Sequence, residues 1–211
     1  MNIGIIGSGH IGATAARLFA DAGHEVALSN SRGPESLGSL VEEIGPRARA
    51  ATIEEAAGFG DVVLVAGPFF AHKALPAQTL AGKVVVDAMN YYARRDEIDF
   101  SGLSSTEALA RHLRDSRVVK AFNTMYYETL RTEGLTSAPA EERLVLFVAG
   151  DDGEAKTVVS RLIEEIGITP VDTGSLGVAA SRSQARRSTR ADSTTCPMKP
   201  EQARETLAGM R

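Results

Sequence analysis

The sequence predicts an α/β protein with a doubly wound, mainly parallel sheet of about eight strands and a short C-terminal helical tail. Three observations carry that prediction. Short runs rich in Val and Ile alternate with longer segments of helical period. The runs Val62-Val63-Leu64-Val65 and Val84-Val85-Val86 are apolar at every position, as strands covered on both faces are. Three glycines also follow the first run, where a strand would turn directly into a helix.

The predicted strands are Asn2 to Ile6, Glu25 to Ser29, Ala48 to Ala51, Asp61 to Ala66, Lys83 to Asp87, Arg117 to Ala121, Leu144 to Ala149 and Thr169 to Asp172. The third is brief and alanine-rich. Ile11 to Ala22 carries Leu18 and Phe19 on one side of a helical wheel and stops at Gly23, a natural residue beyond a helix end. Pro34 to Ile44 places Leu37, Leu40, Val41 and Ile44 at helical intervals. Ser104 to Leu113 and Gly153 to Ile166 repeat the pattern, with Asp151 or Asp152 as N-cap of the latter and Gly167 at its close.

After Gly174 the character changes. Ser181 to Thr195 holds Arg182, Arg186, Arg187 and Arg190 among serines and threonines, a composition too polar to order itself. It reads as a linker or as an anion site for an acidic coenzyme tail. Pro200 then opens a short terminal helix, Glu201 to Met210, containing Leu207. The expected division is a dinucleotide-binding domain over 1–177 and a tail with its helix over 178–211.

The chain has 211 residues, 43 % of them apolar, and 23 Lys and Arg against 27 Asp and Glu, for a formal charge of −4. Disorder throughout is excluded, and mild acidity gives no electrostatic reason to expect nucleic acid or an anionic membrane as partner. The single cysteine, Cys196, forms neither an internal disulfide nor a multi-thiolate zinc cage, which fits the reducing cytoplasm. No stretch reaches the roughly 18 apolar residues of a membrane span, and glycines follow Asn2 to Ile6 in place of a signal peptide's apolar region.

Gly7-Ser8-Gly9-His10-Ile11-Gly12 has the G-x-G-x-x-G spacing between a predicted strand and a predicted helix. Gly7 would allow a tight turn, Gly9 would let the backbone approach a pyrophosphate, and Gly12 would let the helix pack closely on the strand. The unpaired N–H groups of the helix start attract the phosphates. His10 stands in this loop either as a contact to ribose or phosphate or as a base.

An NAD site places Asp or Glu at the end of the second strand, about 20 residues past the glycines. Here the segment is Ser29-Asn30-Ser31-Arg32-Gly33, with no acid before Glu35. Arg32 can pair with a 2′-phosphate, and Asn30 and Ser31 can donate hydrogen bonds to it, so NADP(H) is the expected dinucleotide.

Ligands of open α/β sheets lie at the carboxyl ends of the strands. Gly67-Pro68-Phe69-Phe70 follows the fourth strand, Met89-Asn90-Tyr91 the fifth and Phe122-Asn123-Thr124-Met125 the sixth. Pro68 and Phe69 are candidates to hold the ribose and nicotinamide by backbone and apolar contact. Asn90, Asn123 and Thr124 are candidates to position the ring or the second substrate, although Asn90 suits the end of a strand equally. Lys120 is placed either as a proton donor or as a side chain snorkelling from the sixth strand. His72 and Lys73 fall near the fourth strand's end, on a candidate helix face. No metal-ligand spacing and no Ser-His-Asp elbow is present.

These residues together, with Asn30-Ser31-Arg32-Gly33-Pro34-Glu35, Asp87-Ala88-Met89-Asn90, Val119-Lys120-Ala121-Phe122-Asn123-Thr124 and Phe147-Val148-Ala149-Gly150-Asp151-Asp152, resemble the NADPH-dependent coenzyme F-420 reductase family (F-420H2:NADP oxidoreductase) from Met1 to about Gly177. The resemblance implies a Rossmann-type sheet, a homodimer, and hydride exchange between nicotinamide C4 and C5 of a deazaflavin. It also implies phosphate contacts from Ser8, His10 and Ile11, 2′-phosphate contacts from Ser31 and Arg32, and a ring pocket at Pro68, Asn90 and Asn123. Gln184 to Arg190 departs from the family pattern, which leaves the acceptor open among the deazaflavin coenzyme F-420, a flavin or another flat redox molecule. Two alternatives stay beside this one: an NADPH-dependent reductase of a small imine or carbonyl compound, and a sensor that binds NADPH without turnover.

Overall fold

The structure, a computed structural model, describes residues 1–96, 98–100, 102–177 and 198–208. Eight strands form the sheet: β1 (Asn2–Ile6), β2 (Glu25–Ser29), β3 (Ala48–Ala50), β4 (Val62–Val65), β5 (Val84–Asp87), β6 (Arg117–Lys120), β7 (Val145–Gly150) and β8 (Thr169–Asp172). Their order is β3-β2-β1-β4-β5-β6-β7-β8, the doubly wound arrangement expected. All neighbours pair in parallel except β6 and β7, which are antiparallel through Val119 with Gly150 and Lys120 with Ala149. The strand order reverses beside β1, and that switch point opens the crevice in which such sheets bind ligands.

The helices are α1 (His10–Asp21), α2 (Gly38–Ile44), α3 (Ile53–Phe59), α4 (Ala77–Leu80), α5 (Ala93–Asp96), α6 (Ser105–His112), α7 (Tyr127–Thr132), α8 (Gly153–Glu165) and α9 (Pro200–Ala208). The helix expected from Pro34 begins as a 3-10 turn, Pro34–Leu37, and becomes α-helical only at Gly38. The end of α1 is a Schellman motif: Gly23 at φ 94° donates its N–H to Ala20 O, and His24 donates to Phe19 O. Gly167 closes α8 in the same way. Asp152, rather than Asp151, caps α8 by accepting from the Ala155 N–H. α3 was not anticipated, although Thr52 and Glu55 make a reciprocal capping box at its start.

One apolar layer joins Ile3, Ile5, Phe19, Leu28, Phe122, Leu146, Val159 and Ile163 under α1, α7 and α8. A second joins Val63, Val65, Phe69, Leu80, Val85 and Leu109 on the opposite face of the sheet. Every residue of β4 and β5 is buried, as their unbroken apolar runs require. Among the described residues no helix is long and apolar enough to cross a membrane. The expected linker 181–195, Cys196 and Met210 lie outside the described residues.

Candidate functional site

The exits of β1, β2, β4, β5 and β6 share one rim of the sheet, and each carries residues singled out in the sequence. At the β1 exit, Gly7 turns at φ 113°, and a Cβ there would stand 2.8 Å from the Ala66 carbonyl. A Cβ on Gly12 would lie 1.8 Å from Gly7 O, so helix and loop touch backbone to backbone. Gly9 differs. A Cβ there would meet nothing within 4 Å, so no protein group occupies the space that its missing side chain leaves. Gly9 also caps α1 without any side-chain hydrogen bond, and no acid lies in the first turn. The chain thus presents a bare, partly positive helix start beside an open approach, which suits a diphosphate.

Residues from two other exits frame this loop. His10 stacks on Tyr127 of α7, with ring centroids 4.2 Å apart and planes 14° from parallel. The neighbouring Tyr126 hydroxyl first, then burial and the Glu128 carboxylate, push the Tyr127 phenol up to about 12, so it stays neutral under ordinary conditions. From the β2 exit, Asn30 donates its amide to Ser8 Oγ at 3.1 Å and to Ser36 Oγ at 2.9 Å, while its Oδ1 accepts the Arg32 N–H at 2.9 Å. The amide expected to face a phosphate is therefore occupied in binding the two loops together. Ser31 and Arg32 are exposed beyond it, and Arg32 forms no ion pair among the described residues.

At the β4 exit Gly67 and Pro68 lie on the rim, and a Cβ on Gly67 would meet open space. The expectation for Phe69 needs correction. Its ring is wholly buried, stacks on His72 at 4.6 Å and meets Tyr91 and Phe100 edge-on, so it packs the core and offers a ligand no side-chain contact. The exposed aromatic is Phe70, at 57 %. The Arg95 guanidinium lies 6.0 Å from the Phe70 ring centre and 4.9 Å from that of Tyr92. Bidentate bonds to buried Asp96, at 2.6 and 2.8 Å, orient Arg95 and hold the Asp96 carboxyl below its usual range. His72 belongs to a 3-10 turn, Phe69–Ala74, and is buried, with Nδ1 2.9 Å from Phe69 O.

At the β5 and β6 exits, Asn90 donates its amide to the Asn123 carbonyl at 3.3 Å. Asn123 is nearly buried, and Thr124 beside it is half-buried. Lys120 does not snorkel to solvent. Its Nζ lies 2.9 Å from Asp87 Oδ2 and 2.5 Å from Met89 O. Tyr127 and Arg95 are site neighbours that the sequence does not single out, and Phe70 and Asp87 stand there only as members of the segments at the β4 and β5 exits. Asp87 alone left a signal: a carboxylate that ends an apolar strand needs a partner.

Residues 2–91 match the profile of the family described as NADP oxidoreductase, coenzyme F420-dependent. The F420-dependent NADP oxidoreductase profile thus covers the phosphate loop, the β2 exit and the β4 and β5 exits. The chain is also 30 % identical over 84 % of its length to the metalloreductase STEAP3 of Rattus norvegicus, of which it spans only 34 %. Among solved structures it resembles protein SMa0349 of Sinorhizobium meliloti, at 29 % identity and a TM-score of 0.79, covering 94 % of this chain and 95 % of that one. It also resembles a proposed F420-dependent NADP-reductase of Arthrobacter sp. FB24, at 26 % identity and a TM-score of 0.74, over 89 % and 91 % of the two chains. The coarse reading of the sequence, an oxidoreductase that uses NADP(H) on a small molecule, agrees with this family.

Proposed function

We propose that the protein is an NADPH-dependent reductase that passes a hydride to a flat redox acceptor of the deazaflavin or flavin type. The observation that carries this reading is the phosphate loop: glycines at Gly7 and Gly12 that the backbone contacts demand, and an open approach at Gly9. Ser8, His10 and Ile11 border the diphosphate, and Ser31 and Arg32 meet the 2′-phosphate. Asn30 holds the two loops in register. Gly67, Pro68, Asn90, Asn123 and Thr124 line the nicotinamide end. When bound, NADPH would supply the hydride at nicotinamide C4, the accompanying proton coming from solvent.

Ring-to-ring transfer needs alignment more than an acid, and positioning alone can supply about 7–11 kcal/mol of a barrier. The one lysine at the rim of β6 is bound by a carboxylate and a carbonyl, which favours this reading over a carbonyl or imine reductase that needs a donor. Exposed Phe70 and Tyr92 offer apolar surface to the acceptor beside the β4 and β5 exits. A homodimer in the cytoplasm, with the dinucleotide domain ending near residue 177, completes the proposal.

The test is calorimetry with NADPH and NADH on the wild type and Arg32→Ala, followed by the near-ultraviolet absorbance of NADPH with coenzyme F-420, FMN and riboflavin. A charge-assisted bond is worth about 1.5–3 kcal/mol, so Arg32→Ala is expected to weaken NADPH roughly 10- to 150-fold and leave NADH nearly unchanged. Equal losses for both would overturn the NADP assignment. Tight NADPH binding with no oxidation by any acceptor would instead favour a sensor.

A further inference from the structure

The ends of β5 and β6 hold a charge pair that takes no part in the phosphate contacts. Asp87 is completely buried. Its Oδ2 accepts from Lys120 Nζ at 2.9 Å and from Thr106 Oγ1 at 2.8 Å, and its Oδ1 accepts from the Met89 N–H at 3.0 Å. Lys120 Nζ also donates to the Met89 carbonyl, and its side chain is only 13 % exposed. The pair therefore grips both backbone polar groups of the residue before Asn90.

The other end of the pair is tied to the second loop. Two residues beyond Lys120, Phe122 stands at φ 63°, the one described non-glycine residue in the left-handed region. Its buried ring packs edge-on against Phe19, with centroids 5.9 Å apart, and so holds a backbone conformation that a bulky side chain avoids. That turn delivers Asn123, whose carbonyl accepts the Asn90 amide. Apolar residues of similar volume often replace a buried ion pair without loss of stability, so stability is a weak reason for this one to exist.

We propose that Lys120 and Asp87 are positioning residues, which lock the β5 and β6 exit loops in one relative placement so that Asn90 and Asn123 meet the nicotinamide end of the dinucleotide. The inference rests on the proposed function, in which that end reaches these loops. Lys120 acts through Asn90 and Asn123 rather than on a substrate.

The experiment compares binding of NADP+ with that of 2′,5′-ADP, which keeps the adenosine and its 2′-phosphate but lacks the nicotinamide. Both are titrated into the wild type, Lys120→Met, Asp87→Asn, Lys120→Arg and the double variant Lys120→Met/Asp87→Leu. The expected result is unchanged affinity for 2′,5′-ADP throughout and about a ten-fold loss for NADP+ in Lys120→Met and Asp87→Asn, the size of one lost hydrogen bond. Lys120→Arg recovers part of the loss. The double variant buries no unpaired charge, so it carries the test if a single variant fails to fold, and it too should lose NADP+ selectively. Equal losses for both ligands, or none for either, would overturn the inference. Failure of the wild type to bind either ligand would remove the dinucleotide reading itself.

Discussion

The Tyr127 ring lies flat on the His10 ring, joining the helix after β6 to the phosphate loop. Ring pairs of this kind contribute about 0.5–1.5 kcal/mol beyond their buried area. If the stack sets the direction of His10, Tyr127→Ala should weaken NADPH by roughly two- to ten-fold, and Tyr127→Phe should not. Fluorescence titration of NADPH against the three proteins decides it, and equal affinities would show that the imidazole needs no such support.

Gly9 and Gly12 should respond oppositely to the same substitution. In Gly12→Ala the new methyl would strike Gly7 O, so overpacking should cost about 1–3 kcal/mol and lower the melting temperature. In Gly9→Ala it would meet no protein atom, so stability should stay within about 1 kcal/mol while NADPH binding collapses. Thermal unfolding alongside titration separates the two, and retention of full NADPH affinity by Gly9→Ala would place the diphosphate elsewhere.

Adjacent Phe69 and Phe70 divide structure from binding. Phe69→Ala empties a fully buried, aromatic-lined position and should cost about 3–5 kcal/mol in denaturant unfolding. Phe70→Ala removes an exposed ring and should change stability by less than about 0.5 kcal/mol. In steady-state kinetics, the second variant should raise KM for the acceptor and leave that for NADPH unchanged.

Burial holds the His72 imidazole below its ordinary value of 6.5, against the opposing effect of its bond to Phe69 O. The unfolded chain therefore takes up this proton at a higher pH than the folded one does. The neutral ring's contribution is complete above 6.5 and is lost as pH falls through the lower, folded value. Urea unfolding of the wild type from about pH 7.5 down to about pH 5 should show this loss, and His72→Gln should flatten the curve. Parallel curves for the two proteins would exclude His72 as its source.

The eight strands were legible because apolar runs between turn residues specify strands almost regardless of tertiary context. The direction of β7 was not: an apolar run such as Val145 to Val148 reads alike both ways, and only the connection through α7 and the turn at Ala140–Glu142 reverses it. The glycine loop was legible because its spacing has a steric cause, visible in the contacts of Gly7 and Gly12. Phe69 was misplaced because sequence position at a strand exit does not reveal which of two adjacent rings turns inward. The Tyr127 stack and the Asp87–Lys120 pair join residues 117 and 33 positions apart, and no local pattern encodes such meetings.

The reversal of β7 also decides where the last helix hangs. β7 and β8 start at the rim where the first six strands end, and there the Val145 N–H donates to Met198 O and Lys199 Nζ to Glu142 O. Pruning the chain before Met198 would thus strip hydrogen-bond partners from the start of β7, on the strand-exit rim but toward the β8 edge of the sheet.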